Sequence, residues 1–264
     1  MTAPARPELR TLVAALAAVL TLALASCGTD EPIPAASGAA PSGPLTVLAA
    51  ASLTESFTTL GAEFEAAHPG TTVTFSFGSS ATLATQAVQG APADVFAAAS
   101  TAAMAAVVDA RAAGDPADVA TNTLEIAVPP GNPGRVTGLG DLADPDLRIA
   151  VCAAQVPCGA SAEQVLRAAG VTAAPDTLES DVKAVLQKVA ADEVDAGLVY
   201  TTDVAAAGAR VEGIGFPEAA QAPTRYPVAV LAASRNPVTA QAFVEFTRSD
   251  AGRQILHDAG FGPP

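Results

Sequence analysis

The feature that most narrows the fold is an alternation. From residue 45 onward, short apolar runs of strand character are followed by stretches whose apolar residues recur at helical spacing, and small hydroxyl residues sit at several of the junctions. Residues 45–60 set the pattern, a buried strand running straight into a helix with Ser52 at the corner. Leu53, Phe57, Leu60 and Phe64 share one face of that helix, which stops at His68-Pro69-Gly70. Ser52 and Glu55 have capping-box spacing, so Ser52 is expected to cap the helix. Residues 71–77 alternate as a strand, and Gly78-Ser79-Ser80 leads into a helix over 81–89. Further strands are expected at 94–99, 122–128, 147–152, 196–200 and 226–232, and a short helical piece at 139–143. Longer helices are expected at 101–113, 159–169, 182–191, 238–248 and 251–259, and Thr201-Thr202-Asp203 opens another helical turn. Strands alternating with helices specify an α/β protein with largely parallel sheets, whose ligands bind beyond the carboxyl ends of strands.

The first 44 residues stand outside this pattern. Arg6 and Arg10 precede an apolar run over 12–25, which is short of the ~20 residues a bilayer span needs, so 1–26 reads as a signal peptide. Leu24-Ala25-Ser26-Cys27 resembles a bacterial lipobox, in which Cys27 would be lipidated and become the first mature residue. Residues 27–44 then form a Pro/Gly/Ser/Ala linker behind that anchor. The formal charge is −14; without residues 1–26, 11 basic side chains face 26 acidic ones, or −15. So acidic a surface excludes nucleic acid as a partner. It also requires any anion site to work through short-range hydrogen bonds.

Four junctions suit such a site: Ser52, Ser79-Ser80, Cys158-Gly159 and Ser180-Asp181-Val182. The start of a helix offers backbone N–H groups without intrahelical partners, and the first two junctions add hydroxyl donors. No Lys or Arg accompanies them except Lys183, one residue into its helix, where it is expected to be solvated. A fully ionised tetrahedral oxyanion only accepts hydrogen bonds, so neutral donors suffice for it. Hydrogen phosphate would also want an acceptor, and Asp181, the only acid at these junctions, is expected to cap its helix. Catalysis is disfavoured: there is no G-x-S-x-G elbow, and His68 and His257, the only histidines, are expected at the surface. Cys152 and Cys158 lack metal-ligand spacing and no histidine cluster accompanies them.

The motifs AAASLTESF, VTFSFGSSATLATQ, GAPADVFAAAS, VPCGASAEQVL, ADEVDAGLVYTTDV and YPVAV…AFVEFTRSDAGRQILHDAGF follow one another between residues 45 and 262. Together they resemble the molybdate-binding proteins of bacterial ABC importers. The resemblance implies a type II periplasmic-binding-protein fold, two α/β lobes joined by two crossing strands with a ligand cleft between them. Lobe 1 would comprise 45–123 and 227–264, and lobe 2 124–226. Carried over by motif, the oxyanion would be held by the hydroxyls of Ser52, Ser80 and Tyr200 and the amides of Cys158 and Val182. Molybdenum would be reached only through its oxygens, with no side chain ligating the metal. The resemblance implies molybdate or tungstate as ligand and no cofactor or enzymatic activity. The partners would be an ABC permease and its ATPase, with the membrane reached through Cys27 and the protein itself a monomer.

Sulfate, thiosulfate or phosphate on the same fold is the alternative, and an exported hydrolase a more distant one. Iron-binding relatives use paired tyrosines, whereas Tyr200 and Tyr226 are not adjacent. Cys158 stands where the best-known members have Ala, a change that leaves a backbone N–H intact. Outside the cell Cys152 and Cys158 are expected to form a disulfide bracing the ligand loop, worth about 2–3 kcal/mol by chain entropy; two buried free thiols are the other possibility.

Overall fold

The computed structural model describes residues 40–264. The expected signal peptide, Cys27 and residues 28–39 of the expected linker lie outside the described residues. The linker is shorter than expected at its far end. The first strand, β1 (Gly43–Ala50), already includes Gly43 and Pro44, paired with Thr71 and Thr72 of β2 (Thr71–Gly78). A proline is admissible there because it stands at the beginning of the strand.

Two five-stranded sheets organise the described residues. The first has the order β2-β1-β3-β10-β4, with β3 at Val95–Ala97, β4 at Ala117–Asn122 and β10 at Thr224–Val230. The second has the order β7-β6-β8-β5-β9, with β5 at Leu124–Val128, β6 at Ile149–Cys152, β7 at Thr177–Glu179, β8 at Ala196–Tyr200 and β9 at Glu212–Ile214. The sheets are mixed rather than largely parallel. β1 runs parallel to β2 and β3, and β6 to β7 and β8, but β10 and β5 are antiparallel to both of their neighbours. The antiparallel members are the strands by which the chain arrives from the other sheet.

The expected single strand over 122–128 is two strands in different sheets. Only Thr123 separates β4 from β5. Asn122 holds the corner: its Oδ1 accepts from Thr123 N and Thr201 Oγ1, both at 2.9 Å, and its Nδ2 donates to Thr202 Oγ1 at 2.8 Å. Strands β4, β7 and β9 were not expected. The latter two are three residues long and partly exposed, so they lack an apolar pattern.

Helices cover the sheets. α1 (Thr54–Ala67) buries Phe57, Leu60 and Phe64 on the first sheet, where Phe57 and Phe64 meet Phe243 of α7 (Pro237–Arg248) edge-to-face at 6.2 and 5.3 Å. Each such ring contributes roughly 1.5–3 kcal/mol by leaving water. Gly61 permits the contact with β2, because a Cβ there would lie 2.6 Å from the Phe75 ring. α2 (Ser80–Val88) and α3 (Thr101–Asp109) pack a second cluster of Leu83, Phe96, Met104 and Val107 on the opposite face. α4 (Pro157–Ala169) and α5 (Val182–Ala190) cover the second sheet with Val165, Val185 and Val189, and α6 (Thr201–Ala207) follows β8 directly. α8 (Asp250–Asp258) closes the chain, capped by Ser249, whose Oγ accepts from Gly252 N at 3.2 Å.

Candidate functional site

The carboxyl ends of β1, β2, β6, β7 and β8 each lead through a short corner or loop into the start of a helix, and these ends converge. Ser52, Ser80, Cys158, Val182 and Tyr200 all line one cavity of about 20 Å³, together with Ser79 and Asp181. All five expected residues are buried.

Ser52 is not a helix cap. It lies in a 3₁₀ turn (Ala51–Leu53) ahead of α1, whose cap position is Leu53 and receives no side-chain hydrogen bond. Its Oγ lies 3.0 Å from the hydroxyl of Tyr226, and either can donate. Burial pushes the Tyr226 phenol well above its ordinary pKa, so it keeps its proton. With Tyr226 donating, the Ser52 proton is left for the cavity. Glu55, the other half of the expected capping box, turns instead to Lys183.

Ser80 opens α2, and its Oγ accepts from Ala99 N at 2.9 Å, which again leaves the hydroxyl proton uncommitted. The neighbouring Ser79 belongs to the same expected junction, although the motif resemblance picks Ser80, and its Oγ is buried with no hydrogen-bond partner in the protein. A buried hydroxyl without a partner is costly, and a ligand oxygen would satisfy it. Tyr200 Oη is in the same condition. Burial pushes its pKa up to about 12. The hydroxyls of Ser161 and Thr224, bonded to one another at 3.0 Å, lower it in part, although neither meets hydrogen-bond geometry with Tyr200.

The two amide donors lie at true helix starts. In α4 the first helical bond runs from Ala160 N to Val156 O at 3.0 Å, leaving the amides of Cys158 and Gly159 without a helical acceptor. Cys152 and Cys158 are bonded through their sulfurs, with Cα atoms 5.6 Å apart, which ties the end of β6 to the start of α4. Gly159 is required by this packing, since a Cβ there would lie 2.0 Å from Ala153 O. In α5 Asp181 is the cap, accepting from Ala184 N at 3.1 Å, and Val182 and Lys183 keep free helical amides.

No Lys or Arg lines the cavity, so its positive character comes from N–H and O–H dipoles and the helix starts. Lys183 is not solvated as expected. Its side chain is 19% exposed and is bonded to Glu55 and Asp203. Neither His68 nor His257 lines the cavity. Among the described residues no group of three His, Cys, Asp or Glu side chains is placed to hold a metal ion.

Two α/β lobes, two crossing strands and a cleft lined by helix starts define an extracellular solute-binding protein. Residues 45–262 match the family model for bacterial extracellular solute-binding proteins, and the chain belongs to that family. It is 40% identical over 256 residues to the molybdate-binding protein ModA of Mycobacterium tuberculosis strain H37Rv, covering 94% of this chain and 96% of that one. In fold it is similar to the periplasmic molybdate-binding protein of Azotobacter vinelandii, with a TM-score of 0.72 and 23% identity over 83% of this chain and 99% of that one. The sulfate-binding protein SubI of M. tuberculosis H37Rv also gives a TM-score of 0.72, at 19% identity over 84% of this chain and 87% of that one. Backbone shape alone therefore does not separate the two oxyanions.

Proposed function

We propose that this protein captures molybdate, with tungstate as its close substitute, and delivers it to the permease and ATPase of an ABC importer. The observation that carries the reading is the small cavity, about 20 Å³, where neutral donors from both sheets converge with no cationic side chain in the lining. Organic solutes occupy pockets of roughly 300–1,000 Å³, so a cavity this small favours an ion. A cation would meet N–H and O–H groups pointing the wrong way. A fully ionised tetrahedral oxyanion would meet donors at Ser52, Ser80 and Tyr200 and at the amides of Cys158 and Val182, with Ser79 a further hydroxyl within reach. Hydrogen phosphate is disfavoured because Asp181, the only carboxylate in the lining, is committed to Ala184 N. The 40% identity to a molybdate-binding protein supports molybdate over sulfate.

The same arrangement supports a binding rather than a catalytic role, since no hydroxyl in the cavity has a histidine beside it to act as base. In this reading lobe 1 comprises 45–123 and 227–264, lobe 2 comprises 124–226, and ligand favours closure because it bonds to both. The exported protein acts as a monomer held at the membrane by lipid on Cys27, with the segment up to β1 as its tether. Titration calorimetry with molybdate, tungstate, sulfate and phosphate tests the assignment. Tight binding of the first two is expected; tight sulfate binding with none of molybdate would overturn it.

A further inference from the structure

Three of the five oxyanion positions are followed closely by a charged residue: Ser52 by Glu55, Val182 by Lys183, and Tyr200 by Asp203. The three charges meet. Lys183 Nζ donates to both carboxylate oxygens of Glu55, at 2.8 and 2.9 Å, and lies 2.9 Å from Asp203 Oδ1. Asp203 Oδ2 in turn accepts from Tyr200 N at 3.2 Å. Glu55 belongs to α1 on the first sheet, while Lys183 and Asp203 belong to α5 and α6 on the second, so one ammonium spans the cleft. None of the three lines the cavity itself.

The two arms of this bridge differ. Asp203 is fully buried and would be an uncompensated charge without the ammonium beside it. Burial works against the Lys183 charge as well, but Asp203 and Glu55 outweigh it and raise its pKa. Asp203 is pushed up to about 6 by its burial, which the ammonium offsets only in part. The Glu55 side chain, by contrast, is 53% exposed. Its arm can part when the lobes separate and return to water at little cost, while the Lys183–Asp203 pair stays intact within the second lobe.

We propose that Lys183 is a positioning residue for oxyanion capture, its ammonium clamping the two lobes through Glu55 and Asp203 and thereby setting Ser52, the Val182 amide and Tyr200 against one another. The inference rests on the binding function proposed above. A clamp that forms only on closure acts mainly on ligand escape. Being partly exposed, its cross-cleft arm is weakened by salt.

The test is the release of isotopically labelled molybdate from the full chain into excess unlabelled ion, for the wild type, Glu55→Gln and Ser52→Ala. Glu55→Gln should release molybdate about 1.5- to fivefold faster at low ionic strength, the range expected for a partly exposed ion pair. The difference should disappear near 1 M salt, and the unfolding midpoint of the ligand-free protein should stay unchanged. Glu55→Gln releasing at the wild-type rate in low salt, while Ser52→Ala has lost affinity, would overturn the clamp and leave the oxyanion site standing. A wild-type protein that retains no molybdate would overturn both.

Discussion

Ser80 is prepared as a donor by a neighbour that occupies its oxygen, and Ser52 is placed so that it can be. The Ala99 amide does this for Ser80, and the Tyr226 hydroxyl can do it for Ser52. A hydrogen bond to a charged group is worth about 1.5–3 kcal/mol, so Ser52→Ala and Ser80→Ala should each weaken molybdate binding roughly ten- to hundredfold in calorimetry. Both variants should keep their fold, since each removes one oxygen from a small hydroxyl. Tyr200→Phe should cost less affinity if water takes over the lost bond, and it should not destabilise the empty protein, whose Tyr200 hydroxyl has no partner to lose. At this scale the sequence motifs picked out five residues that fold to line one cavity, but not what prepares them. Ser52-Leu53-Thr54-Glu55 satisfies a local capping rule, yet its hydroxyl partner lies 174 residues away and its carboxylate is claimed by Lys183. Local spacing carries no trace of partners that only folding brings near.

The loop from β6 into α4 is the element of the site held by a covalent cross-link. Its start is fixed by the Cys152–Cys158 bond and by the close approach of Gly159 to Ala153 O. The native protein should therefore resist a thiol-alkylating reagent at both positions until it is reduced. Reduction should then lower molybdate affinity several-fold, because the Cys158 amide loses its brace, with a stability loss of roughly 2–3 kcal/mol. Alkylation of both cysteines before reduction would contradict this. Among the elements, β8 and the 139–143 turn were legible because their apolar residues and flanking signals agree. The corner at Thr123 carries no local signal, since neither glycine nor proline marks it and Asn122 turns the chain through contacts with Thr201 and Thr202; only the motif resemblance put a lobe boundary there. β7 and β9 were invisible for another reason: their pairing partners, not their own side chains, make them strands.

For the molecule as a whole, the buried Asp203 ties stability to pH. Its folded pKa of about 6 lies above the ordinary carboxylate value of 3.8, so the native state holds this proton more tightly than the unfolded chain does. The contribution favours folding fully below about pH 4 and is lost as pH rises through 6. Lys183, which lowers the shift, and Glu55, which raises it, tune where that loss falls. Urea unfolding of the wild type and Asp203→Asn across this range should show the wild-type advantage shrinking as pH rises; a constant difference would refute the assignment.

The tyrosines carry a last consequence. The chain has two, Tyr200 and Tyr226, and no tryptophan, and the two rings sit 6.2 Å apart beside the cavity, anchored in opposite sheets. Excited in the tyrosine band, their emission is thus an intrinsic optical gauge of the cleft, undiluted by tryptophan or other tyrosines. Occupancy and lobe separation can be followed in the unlabelled protein by the quenching and coupling of one pair of fluorophores.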